Sequence, residues 1–89
     1  MQEKQGTIHN PFGIHCRPAE LVRQAVEEYE DSMEIIVRGR SGNPHRLLSI
    51  LALGMAKGDD FTVRVDGPHE QEICEKISSL LEAEYDFEK

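Results

Sequence analysis

DDFTVRVDG, residues 59–67, alternates Phe61, Val63 and Val65 with Thr62, Arg64 and Asp66. Successive strand residues point to opposite faces, so the pattern reads as a strand with one buried face and one wet face. After it, Pro68 and His69 open a helix with Glu70 and Glu72 in its first turn, where the helix dipole favours acid. Ile73, Ile77, Leu80 and Leu81 form the inner stripe of that helix. Ahead of the strand, Leu47, Leu48, Ile50, Leu51, Leu53 and Met55 crowd together in a Leu-, Ala- and Met-rich stretch. That composition predicts a short helix over 46–54, ended by Gly54.

Further towards the N-terminus, MEIIVR (33–38) is a short β-branched strand, and GRSGNP (39–44) reads as a tight turn with a brief second hairpin strand. QGTIH (5–9) is a weaker strand candidate, followed by the turn residues NPFG (10–13). Between them Ala19, Val22, Ala25, Val26 and Tyr29 recur at helical spacing, predicting a helix from Cys16 to about Tyr29–Asp31. Pro18 is tolerated near its start because early helix donors lack intrahelical acceptors. The acidic end, EAEYDFEK, is expected to fray. The order strand, helix, strand, short strand, short helix, strand, helix predicts an α+β domain spanning 1–89. In it one four-stranded antiparallel sheet is covered on one face by three helices.

With 89 residues and a formal charge of −7, the chain is one small acidic domain, which argues against nucleic acid as its partner. No apolar run is long enough to span a bilayer and no cleavable signal opens the chain, so a cytoplasmic location is expected. Cys16 and Cys74 are too few for a disulfide framework and are expected as reduced thiols.

The segment NPFGIHCRPAELV (10–22) places His15 outside any periodic apolar pattern, at the start of a helix. There the amides of Cys16 and Arg17 point out of the helix while Pro18 offers none, a setting that favours an anion. The same dipole disfavours a cationic ring, leaving a neutral nitrogen able to act as nucleophile. A phosphoryl group taken up by that nitrogen would face the helix amides, and the Arg17 guanidinium can bind two of its oxygens. Gly13 lets the turn approach closely. Other readings stay open: His15 as a plain helix cap, a Cys16–His15 nucleophile pair lacking a third orienting group, or a metal site of His9, His15 and Cys16 without recognisable ligand spacing. His45 and His69 read as solvent-facing turn residues, and Cys74 as a packed thiol.

GIHCRPAELV resembles the active-site segment of the HPr family, the histidine-containing phosphocarriers of the bacterial phosphoenolpyruvate-dependent sugar phosphotransferase system. The matching residues are Gly13, Ile14, His15, Cys16, Arg17, Pro18 and Ala19. LSILALGMAKGDDFTVRVDG (48–67) is similar to the family's short helix, its glycine turn and its last strand. The resemblance implies a βαββαβα open-faced β-sandwich. It implies that His15 accepts a phosphoryl group, at Nδ1, from phosphorylated enzyme I and passes it to the IIA domain of a sugar permease. Arg17 and the backbone amides of Cys16 and Arg17 would hold the phosphate. The chain would then be a monomeric relay intermediate without cofactor or metal, and not an independent catalyst. Leu47, Leu48 and Leu51, with Glu20 and Gln24, fall where the family docks its partners. Core packing is the competing role for the leucines, yet six large apolar residues between 47 and 55 exceed what one face of a short helix buries.

Two positions depart from the family. Arg46 stands where many members carry a regulatory serine, and Ser49, three residues on, does not match it. Phe12 is bulky beside the histidine and is expected to shape partner choice. A regulatory interaction module, or a nitrogen-related branch of the relay, therefore stays open beside sugar uptake.

Overall fold

A computed structural model describes residues 1–11 and 13–84. The readings of Phe12 and of residues 85–89 lie outside the described residues. The elements are β1 (Gln2–Thr7), α1 (Cys16–Ala25), β2 (Ser32–Val37), β3 (Arg40–Gly42), α2 (Leu47–Leu51), β4 (Asp60–Asp66) and α3 (Glu70–Glu82). The strands form one sheet in the order β1-β4-β2-β3, with every neighbouring pair antiparallel. The alternation in β4 works as expected: Phe61, Val63 and Val65 are buried under the helices. Across the strands, Val63 faces Ile35 of β2 and Val65 faces Met33. Val22 of α1 and Ile73, Ile77 and Leu81 of α3 close over this face, all fully buried. On the open face Arg64 lies between two carboxylates, its Nε 2.9 Å from Glu3 Oε2 and its Nη1 3.5 Å from Glu34 Oε2.

Several boundaries differ from the sequence expectation, each for a physical reason. β1 begins at Gln2 and stops at Thr7, because backbone pairing with β4 from Gln2↔Val65 to Thr7↔Asp60 makes a strand of residues with no apolar pattern. Ile8 is buried beyond the strand end, where its N–H donates to Asp59 C=O at 2.9 Å and its C=O accepts from Gly58 N–H at 2.8 Å. Helix α1 ends at Ala25, short of Tyr29, and unwinds through three-residue turns such as Glu27 N–H to Gln24 C=O at 3.3 Å. Glu27, Glu28 and Glu30 follow it, and carboxylates at a helix C-terminus oppose its dipole. Helix α2 is shorter than 46–54, and the chain continues through single turns to Gly54, which takes the left-handed conformation with φ 61°. In α3 the buried stripe adds Cys74 and Ser78 to Ile73, Ile77 and Leu81, while Leu80 is half-buried.

His45 and His69 are more than solvent-facing turn residues. His45 Nε2 lies 3.1 Å from Val26 C=O, which also accepts the Tyr29 N–H, and 2.8 Å from Tyr29 C=O, so the ring holds the turn in which α1 ends. His69 packs beside the Tyr29 ring, with centroids 5.0 Å apart, and engages the buried Asp31. Asp31 Oδ2 accepts the His69 backbone N–H at 2.7 Å, and Oδ1 lies 3.2 Å from His69 Nδ1. Burial alone would push the Asp31 carboxyl up; the backbone N–H and the ring of His69 outweigh it and hold the carboxyl below its usual range.

Two predictions follow from the packing and from Asp31. Phe61→Ala removes a fully buried ring and lowers unfolding free energy by about 3–5 kcal/mol in urea denaturation, whereas the exposed Leu48→Ala changes it by less than about 0.5 kcal/mol. Because the Asp31 carboxyl is depressed in the fold, its contribution is fully present above the unfolded value of about 4 and is lost as pH falls through the lower folded value. Urea midpoints recorded on acidification should therefore fall less steeply for Asp31→Asn than for the wild type, by a fraction of one bound proton.

Candidate functional site

The site begins at a turn that the local sequence builds and a distant segment fixes. Gly13 N–H donates to Asn10 C=O at 2.9 Å, and the buried Asn10 returns its Nδ2 to Gly13 C=O at 2.6 Å. Gly13 has φ 68°, and a Cβ there would collide with the carbonyl oxygen of Met55. The next residue uses that same oxygen, with Ile14 N–H donating to Met55 C=O at 3.0 Å. Ile14 is itself buried, so the chain enters His15 from a fixed point. His15 is extended (φ −99°, ψ −166°), occupies the N-cap of α1, and its carbonyl accepts the Ala19 N–H at 3.1 Å. The half-buried imidazole makes no capping hydrogen bond, so the histidine caps with its backbone alone.

Beyond His15 the amides of Cys16 and Arg17 lie in the first turn of α1, and Pro18 follows, buried. No acidic residue lies in that first turn. The contrast with α3 is direct: Glu70 and Glu72 occupy its first turn, and Asp31 takes the N–H of its N-cap residue His69. Of the two long helices, then, α3 has satisfied its positive end with its own carboxylates, while the start of α1 carries His15 and the exposed Arg17. One turn along, Glu20 is held by Arg23, with Nε to Oε1 at 3.0 Å and Nη2 to Oε2 at 2.5 Å, and by Gln24 Nε2 at 3.1 Å. The Arg23 guanidinium, chiefly, keeps the Glu20 carboxyl below its usual range.

The residues expected to dock partners divide. Leu48 is 78% exposed, more than any other large hydrophobic among the described residues, whereas Leu47 and Leu51 are half-buried and pack against the core that includes Ile50. Arg46 is the exposed N-cap of α2. Ser49 has a structural task, its Oγ accepting the Asn43 N–H at 2.8 Å. Cys16 is an exposed free thiol and Cys74 a buried one, with burial as the main force pushing the Cys74 thiol up. Among the described residues no three His, Cys, Asp or Glu side chains are grouped to hold a metal ion, and no helix is long and apolar enough to cross a membrane.

Asn10 and Met55 are the positioning residues that sequence reasoning missed. Asn-Pro signals a turn but not that the amide side chain would be buried inside it. Met55 acts through its carbonyl, which no side-chain pattern can announce.

A sheet of this order with a histidine at an acid-free helix start has close counterparts. Residues 2–83 match the family described as PTS HPr component phosphorylation site, and the chain belongs to that family, the HPr phosphocarriers of the sugar phosphotransferase system. The phosphocarrier protein HPr of Mycoplasma genitalium is 29% identical over 83 residues, covering 92% of this chain and 94% of the relative. The HPr of Lysinibacillus sphaericus is 28% identical over 81 residues, covering 91% and 92%. Among solved structures, HPr from Thermoanaerobacter tengcongensis superposes with a TM-score of 0.84 at 26% identity over 92% of each chain. The four-stranded sheet and three helices are those of this family's open-faced sandwich.

Gly13→Ala tests the turn. The new methyl must displace the Met55 carbonyl and leave the left-handed region, so about 1–3 kcal/mol of stability is lost. Amide resonances of Ile14 and Ala56 should move with it in a heteronuclear NMR spectrum.

Proposed function

We propose that His15 accepts a phosphoryl group from phosphorylated enzyme I and hands it to the IIA domain of a sugar permease, with the chain acting as a monomeric single-domain carrier in the cytoplasm. The observation that carries this reading is the start of α1, where a histidine not engaged in capping meets a first turn free of carboxylates. Phosphoryl transfer needs a lone pair on a ring nitrogen, a route in line with the breaking bond, and donors that gain strength as charge arrives. The attacking nitrogen, assigned to Nδ1 by family resemblance, forms the new N–P bond. The bond from phosphorus to the donor atom breaks and its electron pair leaves with the donor. Three phosphoryl oxygens then lie where the amides of Cys16 and Arg17 and the Arg17 guanidinium can hydrogen-bond them. Those interactions are fixed dipoles and one mobile cation, so they stabilise the anion without trapping it, and the reverse attack by a IIA acceptor stays open.

Docking is proposed on Leu48, with Leu47 and Leu51 as its half-buried flanks and Glu20 and Gln24 on the adjoining helix. Leu48 supports this by its exposure, since a leucine that contributes nothing to the core leaves its apolar surface for a partner.

Incubation with phosphoenolpyruvate and enzyme I should give an acid-labile, base-stable adduct that is absent in His15→Ala. Arg17→Ala should slow its formation about ten- to hundredfold, the worth of one charge-assisted hydrogen bond. An intact protein that takes up no phosphoryl group would sink the carrier reading and leave a pure interaction module, whose binding His15→Ala would not weaken.

A further inference from the structure

We propose that Arg38 is a positioning residue for the acceptor histidine, clamping the 53–59 loop that fixes the Gly13–Ile14 approach to His15. This rests on His15 as the phosphoryl acceptor.

Arg38 and Gly39 are the two-residue turn between β2 and β3, with Val37 paired to Arg40 across it. Both have positive φ, 52° and 77°, as a type I′ hairpin requires, and Arg38 is the only non-glycine among the described residues in that region. Asparagine or glycine fits such a position with less strain. What the arginine adds is reach. Its Nη1 engages Asp59 Oδ2, and its Nη2 donates to Leu53 C=O at 2.9 Å and Gly54 C=O at 3.3 Å. One rigid guanidinium therefore grips both ends of the 53–59 loop, a fork geometry that a single point charge cannot reproduce. Asp59 fastens the interior of the loop as well, its Oδ2 accepting the Ala56 N–H at 2.9 Å. The amide of Ala56 first and the Arg38 guanidinium second hold the Asp59 carboxyl below its usual range.

The clamped loop touches the site segment at both ends. Asp59 C=O and Gly58 N–H bracket Ile8, and Met55 C=O receives Ile14 N–H against Gly13. A shift of the loop would carry the Met55 carbonyl with it and move His15 relative to its first-turn amides. Arg38 and Asp59 are only partly buried, with side chains 49% and 23% exposed, so the pair is a weak source of stability. Its consequence lies in geometry, where displacements of a fraction of an ångström at a transferring group cost rate.

The test compares Arg38→Asn, which suits the turn but loses the clamp, with Arg38→Lys and with Arg40→Asn on the same hairpin. Quench-flow transfer from phosphorylated enzyme I gives kcat and KM, urea midpoints report stability, and NMR reports the Ile14 amide and the His15 ring nitrogens. Arg38→Asn should lower kcat about three- to tenfold with KM and midpoint little changed, and should shift the Ile14 amide and His15 ring signals. Arg38→Lys should recover part of the rate, and Arg40→Asn none of the loss should show. Wild-type kcat and unmoved signals in Arg38→Asn overturn the proposal, as does an equal loss in Arg40→Asn, which would make it an effect of net charge. A wild-type protein that takes up no phosphoryl group defeats the carrier reading instead; the Ile14 amide then decides the clamp, and an unmoved signal in Arg38→Asn overturns it.

Discussion

The hydrogen bond from Ile14 N–H to the Met55 carbonyl joins residues 41 positions apart in the chain and sets where helix α1 starts. The position of His15 depends on it. The bond requires Gly13, because any Cβ there would occupy the space of the accepting oxygen. It also requires Ile14 to be buried, which excludes water from the bond and anchors the residue before the histidine. An N-cap held this way caps with its backbone, and the imidazole makes no side-chain capping bond to the helix amides.

Electrostatics then distinguish this helix start from the rest of an acidic molecule of formal charge −7. After Glu20, the next carboxylates along the chain from His15 fall at the other end of α1, at Glu27, Glu28, Glu30 and Asp31. Ten helical residues at about 1.5 Å each put roughly 15 Å between the ends, beyond a Debye length of about 8–10 Å in cellular salt. Acid at a helix C-terminus costs stability, and part of that cost is offset by His45, whose Nε2 takes the carbonyls of Val26 and Tyr29. The one nearby acid on α1, Glu20, is turned to Arg23 and Gln24. Negative charge is thus kept away from, or neutralised near, the place where a phosphoryl group would arrive.

Local pattern carried the sheet and helices because each is written in its own residues. The period of two in Phe61, Val63 and Val65 and the helical stripe through Ala19, Val22 and Val26 point to the faces that are buried. β1 was legible only as a fragment, since Gln2, Glu3, Lys4 and Gln5 become a strand through pairing with β4 and not through their own pattern. The site divides in the same way. His15, Arg17 and Pro18 sit together in the chain and announce a helix start; Asn10, Met55 and the two histidines of the turns act through backbone atoms or distant partners. Leu48 shows the limit from the other side. Six apolar residues between 47 and 55 implied surplus, but which leucine stays out is decided by how α2 lies on α1.

Arg46 has a consequence for how such a surface can be regulated. It is the N-cap of α2, where a hydroxyl side chain would ordinarily hold the second- or third-residue amide, and its own side chain makes no capping bond. A helix of five residues has little intrinsic stability to lose, so α2 stands by packing: Ile50 is buried, and the Arg46 carbonyl accepts both Ser49 and Ile50 N–H groups at 3.1 Å. Because the cap contributes no side-chain bond, the position is released from a folding role and is free to carry charge. What it carries is a permanent cation two residues from the exposed Leu48. A guanidinium has no hydroxyl to accept a modifying phosphate, so the charge that Arg46 places beside Leu48 is a cation and not one a phosphate on this side chain could switch.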